Sequence, residues 1–211
     1  LTCQVNDYSD EILDFVNADG KGELYAKFVR RFLTYIPIDY RSKDKIELFG
    51  DFTHEAFDFF LHRMPGNRKM DILINDFKDN PAITVLLASE NKPFIIDSLN
   101  NLLSKMGMQA IFTFHPVINS VRNSEGLLVD IVDRRDGGIN EYLVYLKILG
   151  NFSADDLVMI KSEINNVIDL VDYTYQSWQT LLNKIIDITT DIVHNSATYE
   201  KANLPAEEAL D

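Results

Sequence analysis

The chain has a single cysteine, Cys3, among its 211 residues. No disulfide can form within it, which fits a reducing compartment and leads us to expect a cytoplasmic protein. No apolar run approaches the ~18–20 residues that a membrane span requires. The opening LTCQVNDYSDE is polar and acidic, unlike a secretory signal. Basic residues are scarce as well: 20 Lys and Arg stand against 33 Asp and Glu, a net charge of −13. Phosphate binding needs clustered cations, so nucleic acid is not an expected partner, and nor is a membrane. Much of the excess falls late, with 11 acids and 3 bases (net −8) from Ser153 to Asp211. That run reads as a solvated helix face rather than an acidic docking surface. The chain begins without Met and closes on LPAEEALD, as an excised part of a longer protein would.

Catalytic signatures are missing too. There is no GxGxxG after a strand, no GxxxxGK[ST], no HExxH and no GxSxG. Of the four histidines, only His54 and His62 share a predicted helix, and two turns separate them, too far for one metal ion. His115 sits mid-strand beside Pro116 and reads as a hydrogen-bonded sheet histidine. Asn17-Ala-Asp-Gly20 invites comparison with a calcium loop, but the acids needed at positions 15 and 26 are Phe15 and Ala26. No catalytic, cofactor or metal residue is therefore assigned.

What is present is a clear order of elements. Ser9–Val16 is a short candidate helix capped by Ser9. Glu23–Ile36 places Tyr25, Phe28, Val29, Phe32 and Ile36 on one helical face, and Pro37 ends it. Asp44–Arg63 places Phe49, Phe52, Ala56, Phe57, Phe60 and Met64 on one face, with Asp44 and Glu47 approaching a capping box and Pro65-Gly66 as the stop. The two helices are expected to form an antiparallel hairpin whose aromatic stripe is core. Met70–Phe77 alternates like a strand, Asn80-Pro81 reads as a turn, and Ile83–Ala88 is a buried strand.

Ser89-Glu90-Asn91-Lys92-Pro93 then leads into a helix, Phe94–Met106, with Pro93 at its first position and Gly107 just past its end. Phe94, Ile95, Leu99, Leu102, Leu103 and Met106 are its expected buried stripe. Met108–Arg122 reads as one long strand, edge or bulged at Pro116, with Ile111, Thr113, His115, Val117 and Asn119 on one face. A turn at 123–126, a strand over Leu127–Asp133, a second turn at 134–138 and a strand over Asn140–Leu149 follow. From Ser153, paired with Asp156 as an N-terminal signature, helical periodicity runs for about 40 residues, long enough to span on the order of 60 Å. Ile160, Ile164, Ile168, Val171, Trp178 and Ile185 lie on its apolar side, and the helix is expected to bend near 172–175 or to project.

The β-α-β-β order of 83–149 is that of a split βαβ sandwich. The fold class expected is α+β: a helical hairpin (1–68), a mainly antiparallel ACT-like sheet with a long C-terminal helix (69–195) and a linker (196–211). A helix N-terminus carries free N–H groups and the positive end of a dipole, which suits a carboxylate. Ser89, Asn91, Lys92, Phe94 and Asp97 are therefore the expected effector-binding residues. Lys92 offers a counter-charge, and Asp97 either receives an α-amino group or simply favours the dipole.

The segment NKPFIIDSLNNLLSKMGMQAIFTFHPVINSVRNSEG resembles the N-terminal region of the large bacterial NAD-specific glutamate dehydrogenases. The resemblance rests on Pro93, Phe94, Asp97 and Ser98, on His115, Pro116 and Val117, and on Arg122, Asn123 and Gly126. Glu90-Asn91-Lys92 departs mildly from that pattern. The resemblance implies a parent enzyme that oxidises L-glutamate to 2-oxoglutarate and ammonium with NAD, while this region itself carries no cofactor and no catalysis. It further implies ACT-type effector binding or assembly, with downstream catalytic domains of the same chain and a homo-oligomer as partners. A purely structural docking role, without ligand, is the alternative.

Overall fold

A computed structural model describes residues 22–35 and 46–201, with side chains described over 22–35 and 48–195. The expected helix over 9–16, the loop at 17–20, the Asp44 cap and the closing residues 202–211 lie outside the described residues. In order, the elements are α1 (Gly22–Leu33), α2 (Ile46–Phe60), β1 (Lys69–Phe77), β2 (Asn80–Glu90), α3 (Ile95–Lys105), β3 (Ala110–Phe114), β4 (Val117–Arg122), β5 (Leu128–Ile131), β6 (Ile139–Leu149) and α4 (Ala154–Lys201). The fold is α+β, as expected. The chain divides into two compact units, with the boundary between Asn165 and Asn166.

In the first unit the six strands form one sheet in the order β1-β2-β6-β4-β5, with β3 also on β6, and every pairing is antiparallel. Strands β2 and β4 both run antiparallel to β6, so they are parallel to each other. Helix α3 and then β3, which is also antiparallel to β6, lie between them in the chain, which makes a βαβ unit split by β6. Alternation along the central strands sends side chains to two faces, and both are buried. Leu86, Ala88, Phe114, Ile118, Leu128, Leu143 and Tyr145 join Tyr25, Phe28, Val29 and Phe32 of α1 and Phe49, Phe52, Phe57 and Phe60 of α2 in one core cluster. Ile83, Val85, Leu87, Val144, Leu146 and Ile148 have the other parity, and they are buried with Ile95, Leu99, Leu102 and Leu103 of α3 and Ile160 and Ile164 of α4.

Several boundaries differ from those expected. The turn between β1 and β2 is at Lys78 and Asp79, both left-handed (φ 49° and 62°), and Asn80-Pro81 already belongs to β2. Two positive φ values in a two-residue loop match the twist of a hairpin. The long strand divides at His115-Pro116, yet the register is kept across that break, with Phe114 facing Tyr145 and Val117 facing Tyr142; the one irregularity against β6 lies earlier, between Ala110 and Phe112. The Leu143 N–H still donates to the Pro116 carbonyl at 3.0 Å. Pro116 removes one donor and interrupts the regular strand, and the ladder resumes beyond it in the same register.

Helix α2 stops at Phe60, and Met64 is exposed rather than core. Its last carbonyls are claimed by side chains from elsewhere. Lys69 Nζ donates to the Phe59 carbonyl at 2.7 Å and Arg122 Nη2 to the Phe60 carbonyl at 3.0 Å, where cations suit the negative helix end. Arg122 also donates to both oxygens of the wholly buried Glu141, at 2.9 and 3.1 Å. Arg63 and Ser120 bond the same carboxylate. Two guanidiniums thus share one carboxylate, and backbone carbonyls take further donors of each.

Helix α3 ends as expected. Gly107 (φ 68°) sits past the Met106 cap, with the Gly107 and Met108 N–H groups turned back to the Ser104 and Leu103 carbonyls. The Ser153–Asp156 signature is also real. Asp156 Oδ2 accepts from the Ser153 N–H at 2.8 Å and its hydroxyl at 2.7 Å, and the Asp156 N–H returns a bond to Ser153 Oγ at 3.2 Å. These bonds hold the Asp156 carboxyl below the usual carboxylate range. Helix α4 is uninterrupted over 48 residues, with no break at 172–175. Of its expected apolar side, Ile168 and Val171 are buried while Trp178 and Ile185 are exposed.

Candidate functional site

Strand β2 finishes at Glu90, and the Asn91 N–H donates to the Asn140 carbonyl of β6 at 2.8 Å. The chain then turns through Lys92 and Pro93 into α3. The start of that helix is unusual. Its N-cap is Phe94, in the left-handed region (φ 69°), with no side-chain bond to the first turn. Pro93 therefore lies two residues ahead of the first helical residue, Ile95, instead of occupying that position. The left-handed N-cap also turns the Phe94 ring outward: it is 68% exposed, not part of the buried stripe, and Met106 at the other end is only half-buried.

A cavity of about 160 Å³ opens at this point, between the α3 N-terminus and the β4–β6 face. Asn91, Lys92, Phe94 and Asp97 line it, joined by His115 and Tyr142. Ser89, one of the five residues expected here, is buried in β2 and is not part of the lining. Strand register is what adds His115: it faces the same side as Val117, whose partner across the ladder is Tyr142. His115 is exposed at the break between β3 and β4, its ring 5.9 Å from that of Tyr35.

The chemistry of the cavity is mixed. The first N–H groups of an α-helix have no partner within the helix, and no side chain of the N-cap takes them here. Lys92 is a cation at the mouth and Asp97 an anion one turn along. Ile95, Ile96, Val117 and Val144 supply an apolar wall. The volume suits a molecule of modest size, since a cavity of about 150 Å³ holds one benzene. A dinucleotide does not fit. Among the described residues no cluster of His, Cys, Asp and Glu is arranged to hold a metal, and no helix is long and apolar enough to cross a membrane.

A split βαβ sheet with a cavity where β2 leads into α3 is the architecture of an ACT-type module. The chain belongs to the glutamate dehydrogenase ACT1-domain family, whose sequence model matches residues 28–164. That span holds the sheet, α2, α3 and the cavity. No curated protein and no solved structure matches the chain.

Proposed function

We propose that this domain is the N-terminal regulatory part of an NAD-specific glutamate dehydrogenase and that the cavity at the start of α3 binds an amino-acid effector. The parent reaction takes L-glutamate, NAD and water to 2-oxoglutarate, ammonium and NADH on domains downstream of this one, in a cytoplasmic homo-oligomer. This domain contributes no catalytic residue. The observation that carries the reading is the uncapped α3 N-terminus opening into a cavity flanked by one cation and one anion. An effector carboxylate takes the helix N–H groups and Lys92, its ammonium takes Asp97, and its side chain lies on the apolar wall.

Calorimetry of the chain with a panel of amino acids tests this. Saturable heat is expected with at least one of them, and Lys92→Glu is expected to weaken that binding at least tenfold while thermal unfolding is unchanged. A second reading, assembly without a ligand, draws on α4, where Trp178, Leu181, Ile185 and Ile188 are each more than half exposed. No heat with any amino acid, beside a clear dimer in sedimentation, would replace the first reading by the second.

A further inference from the structure

On the other face of the sheet, α2 and β1 border a separate cleft of about 580 Å³ whose floor is polar in an otherwise apolar layer. Lys147 of β6 is only 4% exposed there and lies opposite Thr84 of β2. Among the described residues its ammonium makes one hydrogen bond, to Thr84 Oγ1 at 2.6 Å, and the Glu55 carboxylate stands 3.9 Å away. The Phe52 ring covers another side at 5.5 Å. An ammonium has three donors, so donor capacity remains on the cleft side.

Asn75 of β1 presents the opposite need. Its amide nitrogen donates to Glu55 Oε1 at 3.1 Å and to Thr84 Oγ1 at 3.0 Å. Its Oδ1 is buried and accepts nothing from the described residues. Glu55 does not relieve either group further: at 3.9 Å its Oε2, which accepts the Tyr145 hydroxyl at 2.7 Å, is beyond hydrogen-bond reach of Lys147, and a carboxylate has no proton to give Asn75 Oδ1. Buried polar groups are ordinarily satisfied, and one left over asks for a partner. Lys147 and Asn75 both bond Thr84 Oγ1, so one small molecule can reach both. Asp51 and Asp76 on the rim disfavour a polyanion such as a nucleotide.

We propose that this cleft is a second ligand site, taking a small monocarboxylate that also carries an amino or hydroxyl donor. The carboxylate sits on Lys147 and the donor on Asn75 Oδ1. The site shares no lining residue with the α3 cavity, so its fate is independent of the reading above.

The test is calorimetry of the Lys92→Glu chain, in which the α3 cavity is already disabled, with glycolate, glycine and acetate. Glycolate or glycine is expected to bind at least tenfold more tightly than acetate. Adding Lys147→Met is expected to abolish binding, and adding Asn75→Ala to bring glycolate and glycine down to the level of acetate. Thermal unfolding establishes that each variant is folded. Heat from none of the three ligands overturns the proposal, and so does binding that survives Lys147→Met in the folded protein.

Discussion

Arg122 Nε reaches both carboxylate oxygens of Glu141, at 3.1 and 2.9 Å, from a neighbouring strand in the middle of the protein. Both side chains are completely shielded from water. The same guanidinium closes the C-terminal end of α2, so one residue ties the helical layer to the sheet. Removing one member of a buried ionic group leaves its partners charged and unpaired, which typically costs about 3–5 kcal/mol. Glu141→Gln is expected to destabilise by about that amount, read by denaturant titration, because Arg63 and Arg122 then face each other across a neutral amide.

Gly126 has φ 81°, and a Cβ there would stand 2.7 Å from the Arg63 carbonyl oxygen. The close approach is functional for the fold, since the Arg63 N–H donates to the Gly126 carbonyl at 2.9 Å. Gly126→Ala must strain φ and push the two backbones apart. A loss of about 1–3 kcal/mol is expected, in line with residues forced into sparsely populated backbone regions. An unchanged denaturation midpoint would contradict it.

Phe94 carries the opposite strain, a bulky side chain in a left-handed conformation, exposed at the mouth of a cavity. Left-handed backbone costs a non-glycine residue roughly 1–2 kcal/mol. Phe94→Gly is expected to raise the melting temperature by a few degrees, on the scale of about 2–4 °C per kcal/mol for a chain of this size. If the ring covers a bound effector, the same variant loses affinity as it gains stability. A scanning calorimeter and a titration calorimeter read the two effects separately.

Much of this was legible beforehand, and the exceptions share a cause. The aromatic stripes of α1 and α2, the α3 stripe from Ile95 to Leu103 and the two faces of β6 follow from periodicity, which is local. Lys78-Asp79 was not legible as the turn, because neither residue is a glycine and Asn80-Pro81 beside it has the stronger turn chemistry. Phe94 fits the helical stripe by spacing alone; only the left-handed N-cap removes it. Arg122 stood out in the resemblance without a reason, since its distant partners Phe60, Leu61 and Glu141 are brought to it by the fold. His115 joined the cavity through strand register, which one sequence does not disclose. The Asn75–Lys147 cleft was illegible for the same reason.

Lys147 offers a test by pH. Burial pushes its ammonium below the ordinary lysine value, and the Glu55 and then the Asp51 carboxylates only partly restore it. A base with a depressed folded pKa carries its penalty in full below that pKa and sheds it as the pH rises toward the unfolded value of ~10.4. Lys147→Met is therefore expected to be more stable than the parent chain at pH 7, with the gap narrowing as the pH rises toward the unfolded lysine value. A gap that widens with pH would reverse the sign.

The position of β6 has a bearing on how the protein comes into being. It is the last strand of this sheet to leave the ribosome, yet it fills the centre, with β2 on one flank and β3 and β4 on the other. Until Leu149 has been synthesised, the earlier strands hold two open edges that cannot meet each other. Unpaired edges invite association with other chains, and pairing over such distances is slow. A nascent chain stalled before 139 is thus expected to be sticky, and one released after 149 to close on itself.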